Sequence, residues 1–220
     1  MYPYKSSHVD YFQIGAHVGN SFNDPLFSVP VSGKSIILVE PVPFLYRLLK
    51  HNYRDKIRDN EIEFLNIAVS NRDGTIDMVV PAESNDFDKF PFFLNQMAST
   101  TDKYIKRFNF AQRFPEFKFD TTSVPCRTLN TICRERGVTS IGHLIVDTEG
   151  HDETILRDLD FTVLKPQKIT FENCYMEDGE TSDALVDRSR YQAFRDMLIS
   201  VGYRVVHEDH EDTTVEFTGL

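Results

Sequence analysis

Phe12-Gln13-Ile14-Gly15-Ala16-His17-Val18-Gly19 is the stretch on which the fold turns. Tyr11 to Ile14 reads as a strand that runs into a glycine turn. Downstream, Ser35-Ile36-Ile37-Leu38-Val39-Glu40 reads as a second strand, apolar almost throughout, as expected where both faces of a parallel sheet are covered. Between the two, Asn23-Asp24-Pro25 has the residues that cap and open a short helix, before Pro30 and Gly33 break the pattern.

Working outward, Phe44 to Asn52 carries Phe44, Leu45, Leu48 and Leu49 as a helical stripe. Phe64 to Val69 reads as a third strand, and Asn71-Arg72-Asp73-Gly74 as a turn into a strand over Thr75 to Val80. Val124 to Leu129 is extended, and Thr128 to Arg136 is a helix ended by Gly137. Ile141 to Val146 is a buried strand, followed by a helix from His151 to Leu159 and a strand at Lys168 to Glu172. A helix over Tyr191 to Ser200 precedes a closing antiparallel pair, Tyr203 to Val206 with Thr214 to Phe217. This order predicts an α/β fold: a Rossmann-like three-layer α/β/α sandwich, its sheet mostly parallel, with a terminal antiparallel hairpin strand.

Residues 81–122 interrupt that rhythm and are too long for an ordinary loop. They hold nine Phe between Phe87 and Phe119, with Lys103, Lys106, Arg107 and Arg113, and a helix is expected over Asp102 to Phe110. Residues 1–220 are therefore read as one domain with an insertion at 81–122. That insertion is either a lid over an acceptor site, its cations facing an acidic acceptor, or an amphipathic helix that packs its Phe residues on the core.

Ligands of doubly wound sheets bind at the carboxyl ends of strands where the strand order reverses. Three strand ends here carry suitable chemistry. Gly15 permits a positive φ and Gly19 permits close backbone approach, although two glycines after a strand also fit a plain turn. The spacing is G-x-x-x-G and lacks the third glycine of the dinucleotide fingerprint. Glu40 ends the second strand, where a carboxylate can accept hydrogen bonds from both hydroxyls of a ribose. Asp147-Thr148-Glu149-Gly150, with Asp152 close behind, gathers three carboxylates that repel one another unless a cation, an amine or a substrate proton joins them. A positive sulfonium suits that environment; for Asp152 and Glu153 a place in the first turn of a helix explains the charge equally well.

Four segments together resemble the FkbM-type methyltransferases, a branch of the class I S-adenosylmethionine-dependent fold. They are Phe12 to Gly19; Leu38-Val39-Glu40-Pro41-Val42-Pro43 with Leu48 and Asn52; Asn66-Ile67-Ala68-Val69-Ser70 with Gly74; and Val124 to Leu129 with Val146 to Asp152, Ile155 and Leu156. The resemblance implies S-adenosylmethionine as cofactor, held by Gln13, Gly15, Ala16, His17, Gly19, Glu40, Pro41, Ala68 and Asp147. It also implies O-methylation of a hydroxyl on a sugar, glycan or related small molecule. Removing that hydroxyl's proton calls for a general base, and the candidates are Asp147, Glu149 and His151, with Glu172 at the next strand end as an outsider. Two other readings stay open: a nicotinamide-dependent oxidoreductase, and a non-catalytic nucleoside-binding protein of the same fold.

Composition narrows the partners. The chain has 220 residues, 40% of them hydrophobic, and a formal net charge of −10. That surplus argues against a nucleic-acid partner, because no excess of cations exists to displace counterions. No run approaches the roughly 18 apolar residues of a membrane helix, and the start of the chain does not read as a signal peptide, so a cytoplasmic location is expected. Cys126, Cys133 and Cys174 are spaced for no zinc site and read as reduced thiols, and no metal is expected. His207-Glu208-Asp209-His210-Glu211-Asp212 reads as a solvated hairpin turn.

Overall fold

The computed structural model describes residues 6–20, 24, 26–99, 109–173 and 189–219. Its main sheet has seven strands in the order β3-β2-β1-β7-β8-β10-β9. These are β1 (His8–Ile14), β2 (Ser35–Val39), β3 (Glu61–Leu65), β7 (Ser140–Val146), β8 (Lys168–Glu172), β9 (Tyr203–Glu208) and β10 (Asp212–Phe217). The first five run parallel; β10 is antiparallel to both β8 and β9. Chain order moves outward through β2 and β3 on one side of β1, and through β7 and β8 on the other. The reversal point is therefore the carboxyl ends of β1 and β7.

Every residue of β2 is buried, and the alternation of its side chains explains why. Ile37 and Val39 join a core under α2 (Leu129–Arg136), α3 (Asp152–Asp158) and α4 (Ser189–Ser200), which supply Ile132, Leu156 and Phe194. Ile36 and Leu38 face the opposite side, against Leu26, Val31, Leu49 and Tyr53. Leu49 belongs to α1 (Pro43–Asn52), which starts on Pro43, where a missing N–H costs nothing. The strand is apolar on both faces because both are covered. Local capping signals act as expected: Thr128 accepts from the Thr131 N–H at the start of α2, and Gly137 ends that helix at φ 68.

One expectation is corrected. The third strand is not continuous from Phe64 to Val69: β3 ends at Leu65, and Ala68–Val69 forms β4 in a second sheet of order β4-β6-β5. Asn66 makes the break, since its Nδ2 donates to the carbonyls of Glu40 and Pro41 at 2.8 and 2.9 Å and turns the chain away from β2. The span 81–122 begins and ends in strands. Pro81 closes β5 (Gly74–Pro81) and Phe119 opens β6 (Phe119–Arg127), so its two ends form an antiparallel pair.

Within that span Leu94 and Phe117 are buried with Phe87, Phe90, Phe114 and Phe119 packed on them, a small aromatic core of its own. The helix expected at Asp102 to Phe110 falls mostly on residues outside the described ones, as do Lys103, Lys106, Arg107 and Cys174; one helical turn stands at Phe110–Arg113. For the helix expected after Asn23, only Asp24 and the turns that follow are described; Asp24 Oδ1 accepts from the Leu26 N–H. Cys126 and Cys133 are free and buried. No helix of the described residues is long and apolar enough to cross a membrane.

Gly15 locks the reversal point. Its φ is +83°, and a Cβ placed there would lie 1.7 Å from the Asp147 carbonyl oxygen. Gly33, at φ +72°, has nothing within 4 Å. Gly33→Ala should therefore cost only the left-handed backbone penalty, about 1–2 kcal/mol. Gly15→Ala should cost more than about 3 kcal/mol, because β1 and β7 must separate. Urea denaturation of both variants checks the ranking.

Candidate functional site

The carboxyl ends of β1, β2 and β7 are laced together by their own backbones. The N–H groups of Gly15 and Ala16 donate to the Val39 carbonyl, the Glu40 N–H to Leu65, and the Asp147 N–H to Ile14, all at 2.9–3.0 Å. Above them opens a cleft. Its floor is apolar, with Val39, Leu45, Ala68 and Met78; Met78 comes from the second sheet, which forms one wall.

Glu40 lines the cleft and is only 4% exposed. Its Oε2 accepts from the His17 N–H at 2.9 Å and its Oε1 from the Val42 N–H at 2.8 Å. One carboxylate thus holds the glycine loop and the entry to α1. Burial outweighs those two donors and pushes its pKa up to about 7.

Asp147, just beyond β7, also lines the cleft. Burial first, then the charges of Asp212 and Asp24, push its pKa up to about 7, while a hydrogen bond with Glu172 pulls the other way. Burial raises Glu172 as well, and Asp147 and Asp152 add to it. Asp152 is buried and likewise raised; its Oδ1 accepts from the N–H and hydroxyl of Thr148, and its Oδ2 from the Glu172 N–H at 3.1 Å. Glu149 follows in the left-handed region, φ 54, with its N–H donated to Glu172 Oε2 at 3.1 Å. The strand end is thus a connected set of carboxyls that holds fewer charges than its composition suggests. His151 lies 2.8 Å from the Ser70 hydroxyl through Nε2, and burial lowers its pKa, which favours neutral imidazole.

Of the residues singled out in the sequence, Gly15, His17, Glu40, Pro41, Ala68, Asp147, Glu149 and His151 lie on this cleft. Gln13, Ala16 and Gly19 are not on its walls. Gln13 is buried beneath the loop, where its Nε2 donates to Asp24 Oδ2 at 3.2 Å. Gly19 packs on α1: a Cβ there would lie 2.5 Å from Tyr53 and 2.6 Å from Leu49. It makes room for a helix. Glu172 touches the cleft only through Asp147 and Glu149. Gln96, Ala98 and Ser99 also line the cleft and carried no sequence signal. In the segment His207 to Asp212, His207 and Glu208 close β9, Asp212 opens β10, and the turn between them is held by Asp209, which accepts from the N–H groups of Glu211 and Asp212.

Comparison with known proteins gives one family. The model described as the methyltransferase FkbM domain matches residues 13–205. No curated protein matches the chain. Among solved structures, a methyltransferase FkbM from Methylobacillus flagellatus KT aligns with a TM-score of 0.49 and 14% identity, over 96% of this chain and 44% of that one. A protein from Staphylococcus aureus described as a caffeoyl-CoA O-methyltransferase aligns with a TM-score of 0.41 and 10% identity, over 94% and 76%. The chain therefore spans less than half the length of the first of these structures.

Glu40 and Asp147 bind their protons more tightly in the folded chain than in the unfolded one. Stability should therefore fall as pH rises from the ordinary carboxylate range through about 7. Melting temperature measured between pH 5 and 8 should decline, and Asp147→Asn should flatten that decline. An unchanged slope would contradict the assignment of Asp147 as a buried carboxyl.

Proposed function

The chain belongs to the FkbM methyltransferase family, and on that premise we propose that it is an S-adenosylmethionine-dependent O-methyltransferase. Its acceptor is a hydroxyl of a sugar, glycan or related small molecule. The observation that carries this reading is the character of the cleft. Glu40, Asp147 and Glu149 share its lining with apolar side chains, and none of the described residues lining it is Lys or Arg.

The residues fit the cofactor's parts. Val39, Leu45, Ala68 and Met78 offer an apolar bed for a base. Each Glu40 oxygen takes one backbone donor, which leaves each a lone pair for a ribose hydroxyl. A dinucleotide's pyrophosphate favours cations, and the described residues of this lining include carboxylates and no Lys or Arg. When bound, the cofactor supplies an electrophilic methyl group on a positive sulfonium. The carboxyls of Asp147 and Glu172 offset positive charge in a site otherwise poor in counterions.

Methyl transfer is an in-line displacement, so alignment is the main task of the walls. The acceptor hydroxyl must also lose its proton as the new bond forms. Asp147, held near neutrality by burial and linked to Glu172, is poised to take it. Glu149, on the same strand-end segment, adds a further carboxyl to the lining. His151, braced by Ser70, is the neutral alternative. Gln96, Ala98 and Ser99 bring residues 81–122 over the cleft, which supports a covering role for the first half of that span.

Two measurements test the reading. Glu40→Ala should weaken S-adenosylhomocysteine binding by about tenfold or more, because charge-assisted hydrogen bonds are lost. Gln13→Ala, beneath the loop, should weaken it less; the reverse ranking would refute the assignment. Asp147→Asn should lower turnover, read as S-adenosylhomocysteine release on a glycan panel, by about 10²-fold.

A further inference from the structure

One contact over the cleft has no part in that reading. His17 stands at the tip of the glycine loop with φ 46, a backbone region that non-glycine residues seldom occupy. Its N–H is committed to Glu40. Its ring Nε2 lies 3.2 Å from the backbone carbonyl oxygen of Asn95, and the ring meets Phe92 edge-on, at 6.1 Å and 89°. Asn95 ends the short helical turn Phe92–Asn95, and the next residues, Gln96, Ala98 and Ser99, line the cleft. Val79 and Ser99 tie the far end of this segment to β5 through reciprocal backbone hydrogen bonds of 2.9 and 3.0 Å.

The Asn95 contact settles the chemistry of the other ring nitrogen. A carbonyl oxygen only accepts, so Nε2 carries the hydrogen. Burial favours the neutral ring. A neutral imidazole protonated on Nε2 has an acceptor lone pair on Nδ1. In the folded chain that Nδ1 is buried and has no hydrogen-bond partner. Such an acceptor is costly to leave empty, and an N–H or O–H donor from outside the chain would satisfy it.

We propose that His17 is a latch: its Nε2 pins the segment 92–99 across the cleft, and its Nδ1 accepts a hydrogen bond from a hydroxyl or ammonium group of the ligand bound there. Occupancy and closure then reinforce each other. A ligand that fills the Nδ1 acceptor fixes the ring that holds Asn95, and a fixed ring keeps Gln96 and Ala98 against the ligand. The inference rests on the cofactor reading above, and it makes His17 a positioning residue, with no part in proton transfer.

The test uses the whole chain, its His17→Gly and His17→Asn variants, and two probes, S-adenosylhomocysteine and adenosine. Glycine and asparagine both tolerate the left-handed backbone, so the loop keeps its path. Unchanged amide exchange at Ile37 and Leu38 verifies that each variant is folded. In the unmodified protein, saturating S-adenosylhomocysteine should slow exchange at the Gln96 and Ala98 amides. Both variants should bind it about tenfold more weakly, as the loss of one buried hydrogen bond implies. In both, ligand-induced protection at Gln96 and Ala98 should be lost. Weaker adenosine binding as well would identify a ribose hydroxyl as the donor, and an effect on S-adenosylhomocysteine alone would identify the ammonium. Variants that bind with unchanged affinity and still protect Gln96 and Ala98 would overturn the latch while leaving the cofactor reading intact. Failure of the unmodified protein to bind either probe would overturn both.

Discussion

The candidate site hangs on the Glu40 carboxylate. It is buried, and it accepts one backbone N–H from the glycine loop and one from the start of α1. Through His17 it fixes the loop that follows β1, and through Val42 it fixes the helix that packs on Ile36 and Leu38. Asn52 completes the brace from the far end of that helix, with its Nδ2 donating to the Val18 carbonyl at 2.7 Å. An uncompensated charge at this depth is expensive, and the chain meets the cost with backbone donors and a near-neutral pKa. The same arrangement leaves lone pairs facing the cleft, so the group that organises the loop is also available to a ligand.

At the end of β7 the physics is similar but the outcome differs. Asp152 accepts from the N–H groups of Thr148 and Glu172, Glu172 accepts from the Glu149 N–H and hydrogen-bonds Asp147, and no described Lys or Arg lines the cleft beside them. A carboxyl set of this kind persists because burial keeps protons on part of it. It is thereby ready to exchange a proton near neutral pH, and it favours a positively charged partner. Stability and chemistry are in tension here: the groups that weaken the empty protein as pH rises are those that would serve the reaction.

Much of the frame was legible because its signals are local. The unbroken apolar run of β2, the bounds of β8 at Lys168–Glu172, the Thr128 cap and the Gly137 stop follow from neighbouring residues alone. The break after Leu65 was not legible, because Asn66 reaches carbonyls twenty-five and twenty-six residues away. The packing of α1 on Gly19 was not legible for the same reason: only the fold brings Tyr53 and Leu49 there. The meeting of Gly15, Glu40 and Asp147 on one cleft was readable from strand ends and the reversal rule. The wall made by Met78, Gln96, Ala98 and Ser99 was not. It depends on a second sheet and an aromatic cluster that no periodic pattern announces.

The central claim is that the acidic cleft takes a positively charged adenosine cofactor. Calorimetric titration of the unmodified protein with S-adenosylmethionine and with NAD, at pH 6 and at pH 8, tests it most directly. The account predicts that S-adenosylmethionine binds more tightly at pH 8, with release of protons from the Glu40 and Asp147 carboxyls, and that NAD does not bind. Binding of NAD without S-adenosylmethionine would contradict it.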